Sequence, residues 1–241
     1  MHKKKEVISG LLILITLAFA ATGCYQRVRV GDLQTKSQTV ELDDANSVNV
    51  EIQMGAGKLD VSGGASELLE ATFTYNVAEL NPRATYADGR LEVKDSGVSI
   101  GIASLSDLAE YRSEWDLKLN EDVPMEMKID LGAGPTNLAL GALALTSLNI
   151  NGGAGEVTID LTGDWQHDLD AKIVGGVGDI HLSLPRDIGV RIEVNTGIGV
   201  VDADGFTRNG DTYTNDAYGV SDVTLRIHID GGVGTINMDF E

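Results

Sequence analysis

A glycine-spaced motif recurs six times along the chain and limits its fold more than any other feature. Each copy consists of an alternating apolar–polar run, then Gly-x-Gly, then a second alternating run. The leading glycines are separated by 77, 21, 23, 21 and 35 residues. Because three successive steps have nearly equal length, the pattern predicts stacked structural repeats. The glycine pairs are Gly55/Gly57, Gly132/Gly134, Gly153/Gly155, Gly176/Gly178, Gly197/Gly199 and Gly232/Gly234.

Each repeat predicts two short strands that meet at a turn. Period-two alternation, as in VTIDL (157–161), is typical of a strand with one buried face. A glycine at a fixed place indicates a positive φ or a close approach between backbones. One unit cannot bury its apolar side alone, so it must stack on its neighbours. We expect the residues between the glycines to stack inward at one corner: Ala56, Ala133, Ala154, Val177, Ile198 and Val233.

The predicted fold is therefore all-β: a short β-solenoid, or rack of stacked strands, built from Gly-x-Gly repeats of about 21–23 residues. Hairpins are predicted at Asp88-Gly89 and at Asn209-Gly210, the latter inside an insertion at 205–222. A short helix is predicted to start at Ser106. The predicted organisation is a signal peptide (1–23), a polar tether (24–40) and a β-domain (41–241), itself divided into an N-terminal β part (41–124) and a repeat stack (125–241).

The first 24 residues have the pattern of an export signal. Lys3 to Lys5 precede an uncharged, mainly apolar run at 7–20, which is short for a membrane-spanning helix. The run leads to Ala21-Thr22-Gly23-Cys24, which resembles the lipobox of bacterial lipoproteins. That resemblance implies cleavage before Cys24, a lipid on its thiol, and a place outside the cytoplasm on the cytoplasmic or outer membrane. An ordinary secreted protein and a retained N-terminal anchor remain alternatives.

The charge of the chain argues against several classes of partner. Without residues 1–23, which hold three Lys and one Glu of the chain's 18 basic and 37 acidic residues, the net charge is −21. Nucleic acids and anionic lipid headgroups require basic surfaces, so neither is an expected partner. Cys24 is the only cysteine, which excludes a disulfide framework.

No motif in the chain predicts a catalytic, cofactor or metal site. GVSIG (97–101) matches the G-x-S-x-G of serine hydrolases but lacks the strand–turn–helix context that the motif needs. The Gly-x-Gly segments carry apolar residues where calcium-binding repeats carry Asp, and apolar side chains cannot coordinate Ca²⁺. One hypothetical calcium site remained, drawn from Asp202, Asp204, Asp211, Asp216 and Asp222.

The repeated I-x-x-G-A-G-x-x-x-[IL]-x-L pattern resembles the toast-rack family of bacterial envelope proteins. It is also similar to the extracytoplasmic β-domain of LiaF-like cell-envelope stress proteins. The resemblance covers roughly 40–241, with further landmarks at FTYN (73–76), EWDLKLNEDVPM (114–125) and NDAYG (215–219). It implies an interaction domain displayed at the envelope, and it implies no catalytic residues.

These observations predict a non-enzymatic, lipid-anchored interaction or scaffold domain of the cell envelope. Its membrane contact would be the lipid on Cys24, and its partner an envelope protein or polysaccharide. Two alternatives remain open: a carbohydrate-active or adhesive β-solenoid that uses a strand face or the 205–222 insertion, and a calcium-dependent envelope protein.

Overall fold

The computed structural model of the chain describes residues 30–43, 45–96 and 110–241. The predicted signal peptide, Cys24, the GVSIG motif and the predicted helix start at Ser106 lie outside these ranges. Across the described ranges, no helix is long and apolar enough to cross a membrane.

Within these ranges, seventeen strands form one continuous sheet that folds on itself, which confirms the predicted all-β rack. The strands are β1 (Gln34–Val40), β2 (Val48–Ala56), β3 (Lys58–Ser62), β4 (Leu69–Tyr75), β5 (Arg83–Ala87), β6 (Arg90–Lys94), β7 (Ser113–Leu119), β8 (Met125–Ala133), β9 (Thr136–Ala139), β10 (Leu145–Asn151), β11 (Val157–Asp160), β12 (Leu169–Val174), β13 (Ile180–Leu184), β14 (Gly189–Ala203), β15 (Thr207–Asn209), β16 (Thr212–Thr214) and β17 (Thr224–Phe240).

The sheet has two faces that meet at the Gly-x-Gly corner. The first face runs β5-β6-β2-β8-β10-β12-β17-β14-β16-β15, and it is parallel from β6 to β14. The second face runs β1-β4-β7-β3-β9-β11-β13-β17-β14, and it is parallel from β7 to β14. The long strands β14 and β17 turn the corner and belong to both faces.

Alternate side chains from both faces fill a common core. We call each repeat of the stack a rung. On the first face, one in-register row places a β-branched residue in every rung. The row is buried throughout and consists of Ile52, Ile129, Ile150, Ile173, Ile229 and finally Val194. β-branched side chains pack well on a pleated surface, so the period-two alternation in the sequence becomes a continuous apolar column.

The rungs do not follow one another in chain order. β17, the last strand, lies between β12–β13 on one side and β14 on the other. The repeat at 225–238 is therefore the fifth rung in space, and the repeat at 191–203 is the sixth. Every rung has the same corner and the same alternation, so the periodicity specifies a rung but not its neighbours.

The predicted tether at 24–40 is wrong for its last seven residues. Gln34–Val40 form β1, an antiparallel edge strand on β4. The segment lacks bulky apolar residues because an edge strand is held by its backbone. The Gln38 side chain also reaches across to the first face, where it accepts from Ala84 N at 3.1 Å and donates to Ala84 O at 2.5 Å.

Both predicted hairpins form, although the second turns one residue later than predicted, and that hairpin covers an end of the rack. β5 and β6 turn at Asp88-Gly89, where both residues have positive φ. β15 and β16 turn at Gly210-Asp211 within the predicted insertion. Tyr213 of β16 is buried against the core beneath the guanidinium of Arg208, so this hairpin closes the first face beyond β14.

Candidate interaction surface

The leading glycine of each repeat sits where the neighbouring rung leaves no room for a side chain. A Cβ on Gly176 would lie 1.7 Å from the carbonyl oxygen of Gly153. A Cβ on Gly132 or Gly153 would likewise lie 1.7 Å from the carbonyl oxygen of the leading glycine in the rung beneath. Since real Cβ atoms do not approach an oxygen so closely, these positions require glycine for steric reasons. For Gly55, the nearest described atom to such a Cβ is Oδ2 of Asp95, 3.7 Å away.

The trailing glycine of most repeats carries a second constraint. Gly57, Gly134, Gly155, Gly178 and Gly234 have φ between 134° and 150°, which L side chains rarely adopt. A Cβ added to any of these five glycines would also lie within 2.2 Å of a neighbouring carbonyl oxygen. Gly-x-Gly thus lets adjacent corners approach closely enough for hydrogen bonds such as Val177 N to Gly153 O, at 2.9 Å.

The residues between the glycines point outward, so the prediction that they stack inward is wrong. They do stack in register, from Ala133 through Ala154 and Val177 to Val233. The glycines on either side occupy the crowded interior of the corner, so the middle side chain faces solvent. We call this row the corner ridge; its members are Ala56, Ala133, Ala154, Val177, Val233 and Ile198.

The corner ridge becomes strongly apolar toward the β14 end. There Val177 is 60 % exposed, Val233 46 % and Ile198 74 %, and Val200 next to them on β14 is 65 % exposed. Exposed apolar groups that lie together on a soluble protein mark interaction sites. We call these four residues the apolar end.

Beneath the corner lies a narrow apolar cavity lined by corner glycines and by Ile150, Ile173 and Ile236. Its volume is about 30 Å³, which is enough for roughly one or two waters and far below the several hundred cubic ångströms of a ligand pocket. The exposed side of the corner, rather than its interior, is therefore the candidate for binding.

Charged side chains on the outer surface of the first face are paired with one another. Arg226 of β17 donates to Asp170 at 2.8 Å and to Asp168 at 2.9 Å. The backbone N–H of Thr224, and then Arg226, hold the pKa of Asp168 below its ordinary value. The Asp168 carboxylate is therefore stabilised as an anion, a state that suits ion pairing between strands rather than proton donation.

Three buried asparagines fasten loops at the ends of strands, and all three fall in the landmark segments. Asn215 donates to Ile188 O at 2.7 Å and accepts from Val190 N at 2.8 Å. Asn76 bonds the backbone of residues 110 and 112 in the same two-sided way, and Asn120 bonds the backbone of residues 65 and 122. The landmark segments can be recognised in the sequence, but the roles of these asparagines cannot, because an asparagine in a polar segment usually lies at the surface.

The five aspartates of the hypothetical calcium site are not gathered around one point. Within 30–43, 45–96 and 110–241, no group of three or more His, Cys, Asp or Glu side chains is placed to hold a metal ion.

Comparison with known proteins places this architecture in a family. The N-terminal domain of the toast-rack family (DUF2154) matches residues 29–183, and the C-terminal domain described as "Cell wall-active antibiotics response LiaF" matches residues 136–240. No curated protein matches the chain.

Two solved structures illustrate the likeness. A candidate cell adhesion protein from Clostridium sporogenes is 34 % identical, with a TM-score of 0.82 over 87 % of this chain and 100 % of that one. A candidate adhesin from Bacteroides fragilis is 14 % identical, with a TM-score of 0.45 over 86 % of this chain and 97 % of that one. The toast-rack model matches residues 29–183, and the Clostridium sporogenes relative is 34 % identical over 87 % of this chain. The chain therefore belongs to the toast-rack family.

Proposed function

We propose that this protein is a non-enzymatic interaction protein of the bacterial cell envelope, held at a membrane by a lipid on Cys24. The observation that carries the proposal is the apolar end: four exposed apolar side chains supported by a corner in which almost every glycine is sterically required. A surface so rigidly supported is preorganised, which lowers the entropy cost of binding a partner.

The relatives support a place at the envelope. The match to the LiaF C-terminal domain and the description of the Clostridium sporogenes relative both point to a surface-facing role. The apolar end and β1, which follows the proposed anchor, lie at opposite ends of the second face. A lipid on Cys24 would therefore leave the apolar end free to meet a partner.

The anchor is tested with the full chain produced in a bacterial host that lipidates proteins. We expect the wild type to incorporate a labelled fatty acid and to sediment with membranes. The Cys24→Ala variant should incorporate none, and Ser9→Ala, a substitution within the same leader, should behave as the wild type. Labelling of Cys24→Ala would refute the lipid anchor.

The interaction role is tested by placing a photo-reactive amino acid at Val200 in membrane-bound protein. Illumination should capture a protein partner from this position but not from Thr158, which is on the outer surface of the second face. Equal capture from both positions would contradict a partner site at the apolar end. Turnover of cell-wall polysaccharide that is abolished by a single Asp or Glu substitution would contradict a non-enzymatic role.

An adhesive role toward polysaccharide is the second candidate, and the second face favours it. An in-register row of polar groups crosses the outer surface of this face and comprises Asp60, Asn137, Thr158, His181 and Asn237. Neighbouring strands lie about 4.8 Å apart, so the row offers regularly spaced hydrogen-bonding groups. Binding to purified cell wall that Asn137→Ala weakens and Val200→Lys leaves unchanged would favour this candidate.

A further inference from the structure

The two faces together have four lateral edges, and three of them are short or shielded. On the first face, β15 has three residues, and β5 belongs to a tight hairpin whose Ala84 backbone is bonded by Gln38. On the second face, β1 has a polar sequence of Gln, Thr, Lys and Ser up to Val40. Short, polar or covered edges are how proteins prevent unwanted strand pairing.

The fourth edge is open and apolar. β16 covers β14 only at Arg191–Glu193, and Asp211 O then accepts the N–H of Val194. Beyond that point, β14 pairs with β17 on one side and, among the described residues, with no strand on the other. The open stretch is residues 195–203; its outer side chains include the apolar Ile198 and Val200.

We propose that a second copy of this chain pairs with the open stretch of β14, antiparallel and about a twofold axis at Gly199. This inference rests on the proposed function, because it identifies the partner that covers the apolar end. Extended strands commonly bind by adding to an exposed sheet edge, and twofold symmetry uses the same patch on both copies.

The sequence of the open stretch is self-complementary in this register. Ile198 lies opposite Val200 of the second copy and Val200 opposite Ile198, so two apolar cross-strand pairs form on one surface. Thr196 lies opposite Asp202, which leaves a hydroxyl, rather than another carboxylate, facing the only charge in the stretch. Like charges directly opposite would be destabilising, and this acidic chain avoids them here.

The bend of β14 also fits this symmetry. The strand passes from the first face to the second around Gly197–Gly199, so the open stretch has a short arm before the bend, 195–196, and a longer arm after it, 200–203. A twofold axis at Gly199, within the corner, exchanges the two sides of the bend, so residues before the bend in one copy lie along residues after the bend in the other. The second copy therefore continues the rack beyond β14, with its Ile198 beside Val200 of the first copy.

Sedimentation equilibrium of the full lipidated chain, in a detergent matched in density to the solvent, tests the proposal. We expect a dimer that dissociates on dilution. The double variant Ile198→Lys/Val200→Lys should lose the dimer at concentrations where the wild type is dimeric. The matched control is Val220→Lys, because Val220 is 83 % exposed but lies in the loop before β17. Far-UV circular dichroism and melting temperature check that all variants fold.

A covalent test fixes the register. In membranes that contain Ile198→Cys/Val200→Cys, oxidation should give a disulfide-linked dimer, whereas Val220→Cys should give none. A wild type that is monomeric at every concentration, or a dimer that survives the double lysine substitution, would overturn the proposal. If the protein is monomeric but Val200 still photo-captures a different protein, the self-pairing is wrong while the proposed interaction function stands.

Discussion

At the scale of single residues, the corner accounts for the six Gly-x-Gly pairs, which hold twelve of the 29 glycines in this sequence. In a parallel stack, each rung repeats the backbone of the rung beneath it. A position that has no room for a Cβ in one rung therefore has none in the others. The carbonyl oxygen of each leading glycine occupies the place where the Cβ of the next rung would lie. The requirement for glycine is therefore set by the neighbouring rung, and it does not apply to the residue between the glycines, whose side chain faces solvent.

This distinction gives a matched pair of substitutions. Gly176→Ala should lower the free energy of unfolding by about 3 kcal/mol or more, since its Cβ would meet Gly153 O at 1.7 Å and packed backbone cannot move aside. Val177→Ala should change it by less than about 1 kcal/mol, because Val177 lies between the same two glycines and its side chain is 60 % exposed. Urea unfolding followed by circular dichroism measures both. Similar values for the two variants would refute the steric account of the corner.

At the scale of elements, the start of β17 is fastened to the start of β12 by one carboxylate. Asp168 accepts the backbone N–H of Thr224 at 2.8 Å and pairs with Arg226 at 2.9 Å. Because these bonds favour the anion, the pKa of Asp168 is lower in the folded chain than in the unfolded chain. Its contribution to stability is therefore complete above the unfolded pKa and is lost as the pH falls through the folded pKa.

Asp168→Asn tests this link through its pH dependence. At pH 7 we expect a lower melting temperature than the wild type. The difference should shrink as the pH falls below the ordinary carboxyl pKa of about 4, and it should vanish below the lowered folded pKa, where the wild-type carboxylate is also protonated. Asp164→Asn is the control, since Asp164 lies in the same loop and its carboxylate makes no hydrogen bond to the described residues. A difference that persists unchanged to low pH would point to packing instead of charge.

The elements also show what could be predicted from the sequence. Strands such as β10 and β11 were predictable because alternation is local and their inner side chains are fully buried. β1 was missed because an edge strand needs no apolar face. The apolar end was missed because Gly-x-Gly does not state whether its middle residue points inward or outward; only the crowding between rungs decides that.

At the scale of the molecule, the position of β17 makes the end of the chain part of its interior. β17 pairs with β12 and β14 along the first face and with β13 and β14 along the second. In a rack stacked in chain order, the last strand would cover only one neighbour, and its loss would shorten the stack by one rung. Here its loss separates β14, with the apolar end and the open edge, from the remaining rungs.

Ending the chain after Val223, which removes the 17 residues of β17, tests this dependence. We expect amide hydrogen exchange to show that β14 loses its protection, because its fourteen-residue parallel pairing is gone and only β16 remains. Removing residues 34–40 is the control; β1 pairs with β4 alone, so protection of the other rungs should persist. The contrary outcome is specific: since all rungs share one form, β14 could move into the vacated place beside β12 and β13. Full protection of β14 in the truncated chain would show that it had done so, and that the order of the rungs depends on chain connection rather than on side-chain complementarity.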